Sequence, residues 1–274
     1  MVSILIPRFE DIFEKPKPII GVVHLKPLPG APLYEGDMDA IVENALRDAH
    51  ALEEGGVDGI IVENYNDVPF RKVVKEPETI AAMGIVVKTI VDEISLPVGV
   101  SFLRNSAVEA LGIAYVTGAK FIRVNVYVDN IETDSGIIEA AAPDVLRYAR
   151  KLGAKIGILA DIHVKHGSPL GSRSLEEVYK DAFHRGLASA VIITGPRTGE
   201  PPNIDTLIAL QKVKIGPILI GSGLSIENID LLRYSDGAIV GTFFKKNGIT
   251  RNPVDKNRVK QFMQKVLEIR RQES

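Results

Sequence analysis

Asp161 and His163 stand two residues apart in the run Ile156-Gly157-Ile158-Leu159-Ala160-Asp161-Ile162-His163, with Lys165 and His166 just beyond. A carboxylate and an imidazole on one face of a strand end can exchange a proton with a substrate, because partial desolvation brings both toward useful pKa values. A second set of residues suits a different task. The stretches Ile218–Gly223 (ILIGSG) and Asp236–Thr242 (DGAIVGT) each end an apolar run in small residues. Glycines there let backbone N–H groups approach an anion closely, and a following helix adds its positive N-terminus. Gly221, Ser222, Gly223, Leu224, Gly241 and Thr242 are therefore the candidate phosphate-binding residues.

These groups need elements to hold them, and a repeating unit supplies them. Apolar β-runs cover Ile19–His24, Gly59–Glu63, Val98–Phe102, Phe121–Val126, Ile156–Asp161, Ala190–Thr194, Ile218–Ile220 and Ala238–Val240. Helix-period segments follow them, from Asp39–Glu54 to a last one over Asp255–Arg270, and a short one spans Ile226–Leu232. Near-continuous Val/Ile runs alternating with helices imply parallel strands covered on the outside. Eight such units in about 250 residues predict an α/β fold, a single (β/α)8 TIM barrel, with an open doubly wound sheet as the alternative. The last two strands of such a barrel are where a phosphate site forms.

The barrel is expected over residues 19–274, behind an N-terminal arm of residues 1–18. That arm carries Leu5, Ile6, Phe9, Ile12 and Phe13, more apolar surface than a free tail favours. It is expected either to cover the barrel bottom or to pack on a neighbouring subunit in a homo-oligomer.

Alternation along barrel strands then assigns faces. On the fifth run Ile156, Ile158, Ala160 and Ile162 suit the strand–helix layer, which turns Asp161 and His163 inward. The same parity turns Arg123 and Asn125 inward on the fourth, while His24, Glu63 and Ser101 end the first three. Asp161 and His163 are the expected proton-transfer pair, Arg123 and Asn125 the stabilisers of developing negative charge, and Lys165 a reserve electrophile. Arg123 and Glu63 equally suit a buried structural ion pair, and His24 a histidine bonded to a core carbonyl. A divalent metal held by Glu63, Asp161 and His163 is a weaker alternative, since no His-x-His or His-Glu-x-x-His spacing is present. Nothing in the sequence requires a cofactor. No Gly-x-Ser-x-Gly elbow or dinucleotide fingerprint occurs. The polar, Gly-rich run Thr194–Pro202, with Arg197, reads as a lid over the mouth or a surface loop.

Composition bounds the rest. A net charge of -2 argues against a nucleic-acid surface, and the absence of cysteine excludes disulfides and thiolate chemistry. No apolar run approaches the ~18 residues needed to span a bilayer, so no membrane partner is expected and the expected location is cytoplasmic.

The segments Val23-His24-Leu25-Lys26-Pro27-Leu28-Pro29-Gly30, Val62-Glu63-Asn64, Leu103-Arg104-Asn105, Ile122-Arg123-Val124-Asn125-Val126, Thr133-Asp134-Ser135-Gly136-Ile137-Ile138 and Asp161-Ile162-His163-Val164-Lys165-His166 resemble the BtpA/SgcQ family. Ile220-Gly221-Ser222-Gly223 and Asp236-Gly237-Ala238-Ile239-Val240-Gly241-Thr242 complete the match, which runs in order from about Ile19 to Val259. The resemblance implies a ribulose-phosphate-binding type of barrel. It ties cyanobacterial members to photosystem I biogenesis, while other members look like sugar-phosphate enzymes. It carries over no catalytic residue. Ser101 and Ser106 depart from the family pattern, in which Asn and Asp are common there. The expected function is that of an enzyme on a small phosphorylated metabolite, isomerase-, epimerase- or lyase-like. The alternatives are a non-catalytic assembly or regulatory barrel, and a metal-dependent hydrolase.

Overall fold

In the computed structural model, residues 6–163, 167–195 and 199–273 are described, with His163 described in its backbone alone. Eight parallel strands close on themselves in chain order. They are β1 (Ile19–His24), β2 (Gly59–Glu63), β3 (Val98–Ser101), β4 (Phe121–Val124), β5 (Gly157–His163), β6 (Ala190–Ile193), β7 (Ile218–Ile220) and β8 (Gly237–Val240). Closure is made where β1 meets β8, with Ile19 opposite Ala238 and Gly21 opposite Val240. An open sheet is thereby excluded.

Helices between the strands start and stop on local chemistry. Asp37 caps Met38–Gly55 by accepting from the Ala40 N–H at 2.9 Å, and Gly56 ends it in the left-handed region. Ser174 and Glu177 form a reciprocal capping box on Leu175–His184. The segment after β7 differs from expectation: Ile226–Tyr234 is 3-10 helix, broken by a non-helical Asn228. Asn228 has other work there, since its side chain accepts from the Ser225 N–H and donates to the Gly223 carbonyl.

The alternation read from sequence separates two apolar layers. Ile158, Ala160, Val191, Ile193 and their equivalents pack against the helices. Ile20, Val22, Ile61, Phe121, Leu159, Ile192, Leu219 and Ile239 fill the barrel interior. Phe9, Ile12 and Phe13 of the arm join that interior cluster and plug the bottom, with Phe13 edge-on to Phe121 at 5.3 Å. Gly157 makes room for the plug: a Cβ there would stand 2.2 Å from the Ile12 side chain. Filling the interior at the bottom with apolar side chains leaves the opposite end of the barrel interior for the polar strand-end groups.

At that end the structure adds a small sheet that periodicity did not reveal. Ile131–Thr133 and Gly136–Ile138 form a hairpin after β4, and Gly167–Pro169, after β5, pairs with it. Runs of three residues are too short for a period-two pattern to register.

Candidate active site

The C-terminal ends of β1 to β5 bring six polar side chains into one buried cluster. Arg123, on β4, donates through Nε and Nη2 to the two Asp161 oxygens at 2.9 and 3.1 Å. Asn125 donates to the same carboxylate at 2.8 Å. Across the barrel, Arg123 Nη1 lies 3.7 Å from Glu63, whose other oxygen lies 3.7 Å from His24 Nε2. Ser101 donates to Glu63 at 2.8 Å, so this departure from the family pattern still supplies a hydrogen bond. All these side chains are buried, that of Asp161 to 1% exposure. Burial by itself would lower the Arg123 pKa. The charge and hydrogen bonds of Asp161, with the charge of Glu63, outweigh it and hold Arg123 above its ordinary value.

Asn125 stands just past the end of β4, and a side chain explains why that strand is shorter than its apolar run. Asn105, in the loop after β3, accepts from the Val126 N–H and donates to the Val126 carbonyl, both at 2.9 Å. One side-chain amide thus replaces a neighbouring strand. Asn64 does the same after β2, accepting from Leu103 N–H at 2.7 Å and donating to Asp67. Ser106 contributes differently, accepting from the Val74 N–H at 2.9 Å.

Beside this cluster opens a cavity of about 250 Å³ lined by His24, Glu63 and Arg123 on its floor. Its rim carries all six residues singled out for phosphate binding: Gly221, Ser222, Gly223, Leu224, Gly241 and Thr242. Gly223 adopts φ +73°, and a Cβ there would fall 2.1 Å from the backbone of Glu200, so only glycine fits. Ser222 Oγ donates to the Glu200 carbonyl at 3.1 Å, and the Thr242 and Thr250 hydroxyls bond each other at 3.0 Å. The two hydroxyls are therefore engaged by loops, leaving close backbone approach as the main offering of the rim. Gly241 packs under the ring of His24, where a Cβ would stand 2.9 Å from Cε1.

Among the lining residues that sequence reading missed are Tyr65 and Arg258. Tyr65 packs its ring against His24 at 4.7 Å, and Arg258 enters from the first turn of the last helix, Lys256–Glu273. Arg258 Nε donates to the Phe243 carbonyl at 2.7 Å and its guanidinium lies 4.5 Å over the Phe243 ring. One signal pointed to it: that first turn holds Lys256 and Arg258 and no acid, against the usual macrodipole preference.

The expected pairing of Asp161 with His163 on one face meets a difficulty. Register shifts between them, Asp161 standing opposite Ile192 and His163 opposite the very next residue, Ile193. A bulge adds a residue, so alternation does not carry across it. The side chain of His163, and Lys165, His166 and Arg197 altogether, lie outside the described residues. Asp161 itself does not line the cavity, and three donors occupy its oxygens. The metal alternative fits poorly, because the Arg123 guanidinium already bridges Glu63 and Asp161 where a cation would stand. Among the described residues no group of three metal-ligating side chains is found.

A closed (β/α)8 barrel, with polar strand ends on one side of its mouth and a glycine-rich rim after β7 and β8 on the other, defines the class by its fold: a TIM barrel. Solved structures agree on the fold. Among them is phosphoribosyl anthranilate isomerase from Thermococcus kodakaraensis, at TM-score 0.53 and 14% identity, covering 91% of this chain and 98% of that one. The chain belongs to the BtpA family, whose sequence model matches residues 15–268. It is 46% identical to an uncharacterised protein of Pyrococcus furiosus, over 92% of this chain and 95% of the relative. It is 43% identical to the photosystem I biogenesis protein BtpA of Synechocystis, over 93% of this chain and 90% of the relative.

Proposed function

We propose that this protein is an enzyme acting by proton transfer on a small phosphorylated metabolite, a sugar phosphate or phosphoribosyl compound, as isomerases, epimerases or lyases do. One observation carries the reading: a single cavity joins the glycine rim after β7 and β8 to the His24–Glu63–Arg123 floor. The rim holds the phosphate through backbone N–H groups of Gly223, Leu224, Gly241 and Thr242. Glu63, with His24 beside it, exchanges the proton, and Arg123 faces the oxygen on which negative charge develops. Asp161 and Asn125 act through Arg123, fixing the guanidinium, so Asp161 is a positioning residue in this scheme.

Thermal shift against a panel of sugar phosphates, with inorganic phosphate as control, tests the reading. A true ligand at a hundredfold excess over Kd raises Tm by about 5–10 °C. Glu63→Gln then slows solvent-deuterium exchange into that ligand by about 10²–10⁴. A flat panel sinks the enzyme reading and favours a non-catalytic assembly or regulatory barrel, in line with the Synechocystis relative, whose name carries photosystem I biogenesis.

A further inference from the structure

The two ends of the cavity differ in charge, and the difference selects a chemical class of ligand. On the floor, Glu63 faces one guanidinium, Arg123, whose charge is already matched from behind the floor by the buried Asp161. Protonation of His24, 3.7 Å from Glu63, would bring that floor only to neutrality. At the other end Arg258 lines the cavity, and among the described residues no carboxylate lines it there. Glu227 senses the Arg258 charge from outside, fully exposed and not among the lining residues. The Arg258 Nε bond to the Phe243 carbonyl and its stacking on the Phe243 ring fix the guanidinium plane while leaving Nη donors for a ligand. A cation in the first turn of a long helix works against the helix dipole, so its placement does not serve the helix.

We infer that the ligand is the phosphate monoester of a neutral polyhydroxy compound, not of a sugar acid, with Arg258 as the charged partner of the phosphate. The inference rests on the proposed phosphate site and adds its polarity. Arg258 supplies a charge-assisted hydrogen bond that backbone N–H groups alone do not match. Hydroxyls at the far end donate to Glu63, whose carboxylate is acceptor-only when ionised. A permanent carboxylate at that end would stand beside Glu63, with the single guanidinium of Arg123 already shared between Glu63 and the Asp161 behind it. Proton transfer keeps the floor's charge constant, because Glu63 loses its charge as the substrate oxygen gains one.

Calorimetric titration of the full chain with inorganic phosphate, sorbitol 6-phosphate and 6-phosphogluconate tests this. The last two are matched open chains that differ at the terminal carbon, one a hydroxymethyl and the other a carboxylate. Sorbitol 6-phosphate is expected to bind at least tenfold more tightly than 6-phosphogluconate. Arg258→Gln is expected to weaken inorganic phosphate and sorbitol 6-phosphate by about ten- to a hundredfold. Glu63→Gln is expected to narrow the gap between the matched pair by removing the repulsion. The sugar acid binding as tightly as the polyol ester, or Arg258→Gln binding phosphate like the native chain, overturns the inference while leaving the phosphate site standing. Failure of all three to bind the native chain overturns the phosphate site as well. Since the first comparison uses the native chain alone, it holds even where a variant fails to fold.

Discussion

Asp161 shows how far a residue's role depends on what reaches it. A carboxylate at a strand end is an obvious acid or base, yet this one takes three hydrogen bonds from Arg123 and Asn125 and is buried away from the cavity. Breaking a buried ion pair from one side leaves the other charge uncompensated. Asp161→Asn is therefore expected to destabilise the fold by about 3 kcal/mol in urea denaturation. A loss below about 1 kcal/mol, the range of exposed pairs, would contradict the tight burial of this one. Glu63→Gln removes a weaker contact to Arg123, at 3.7 Å, and is expected to cost less stability. The two variants together separate positioning from chemistry. Inward placement of Arg123 and Asn125 was legible from alternation; the direction of their hydrogen bonds was not, because it depends on a partner 36 to 38 residues away in sequence.

At the scale of elements, the mouth is held by side chains that stand in for backbone. Asn105 ties the β3 loop to the end of β4, and Asn64 ties β2's end to Leu103. Asp67 extends the tie by accepting from the Leu28 N–H at 2.8 Å. Burial raises the Asp67 pKa above its ordinary 3.8, against the lowering effect of those hydrogen bonds. A carboxyl raised in the folded state binds its proton longer there than in the unfolded chain. Its contribution to stability is thus full below pH 3.8 and is lost as pH rises through the folded value. Denaturation midpoints of Asp67→Asn should accordingly fall less than those of the native chain as pH rises from 3.8. Identical pH profiles would show that Asp67 titrates alike in both states.

The whole molecule divides its labour between the two ends of the barrel. The bottom is closed by Phe9, Ile12 and Phe13, and locked by Arg270 of the last helix, which pairs with Asp58 and donates to the Lys17 carbonyl at 2.9 Å. Phe13→Ala, at a site only 4% exposed, is expected to cost about 3–5 kcal/mol by loss of burial and the cavity left behind. Ligand affinity well below Tm should stay unchanged, because the plug and the mouth are separated by the packed interior layer. An affinity that falls with the plug would mean the two ends are coupled.

Eight apolar runs, their alternation and the glycines at Gly221, Gly223 and Gly241 were enough to specify a barrel and the position of its rim. These are consequences of local physics: strand period, helix punctuation and the room a missing Cβ leaves. The bulge after Asp161, the saturation of that carboxylate and the arrival of Arg258 beside Gly223 and Gly241 were decided by the tertiary structure alone. Each depends on closure, which brings residues from opposite ends of the chain to one mouth and settles which polar groups satisfy one another and which face a ligand.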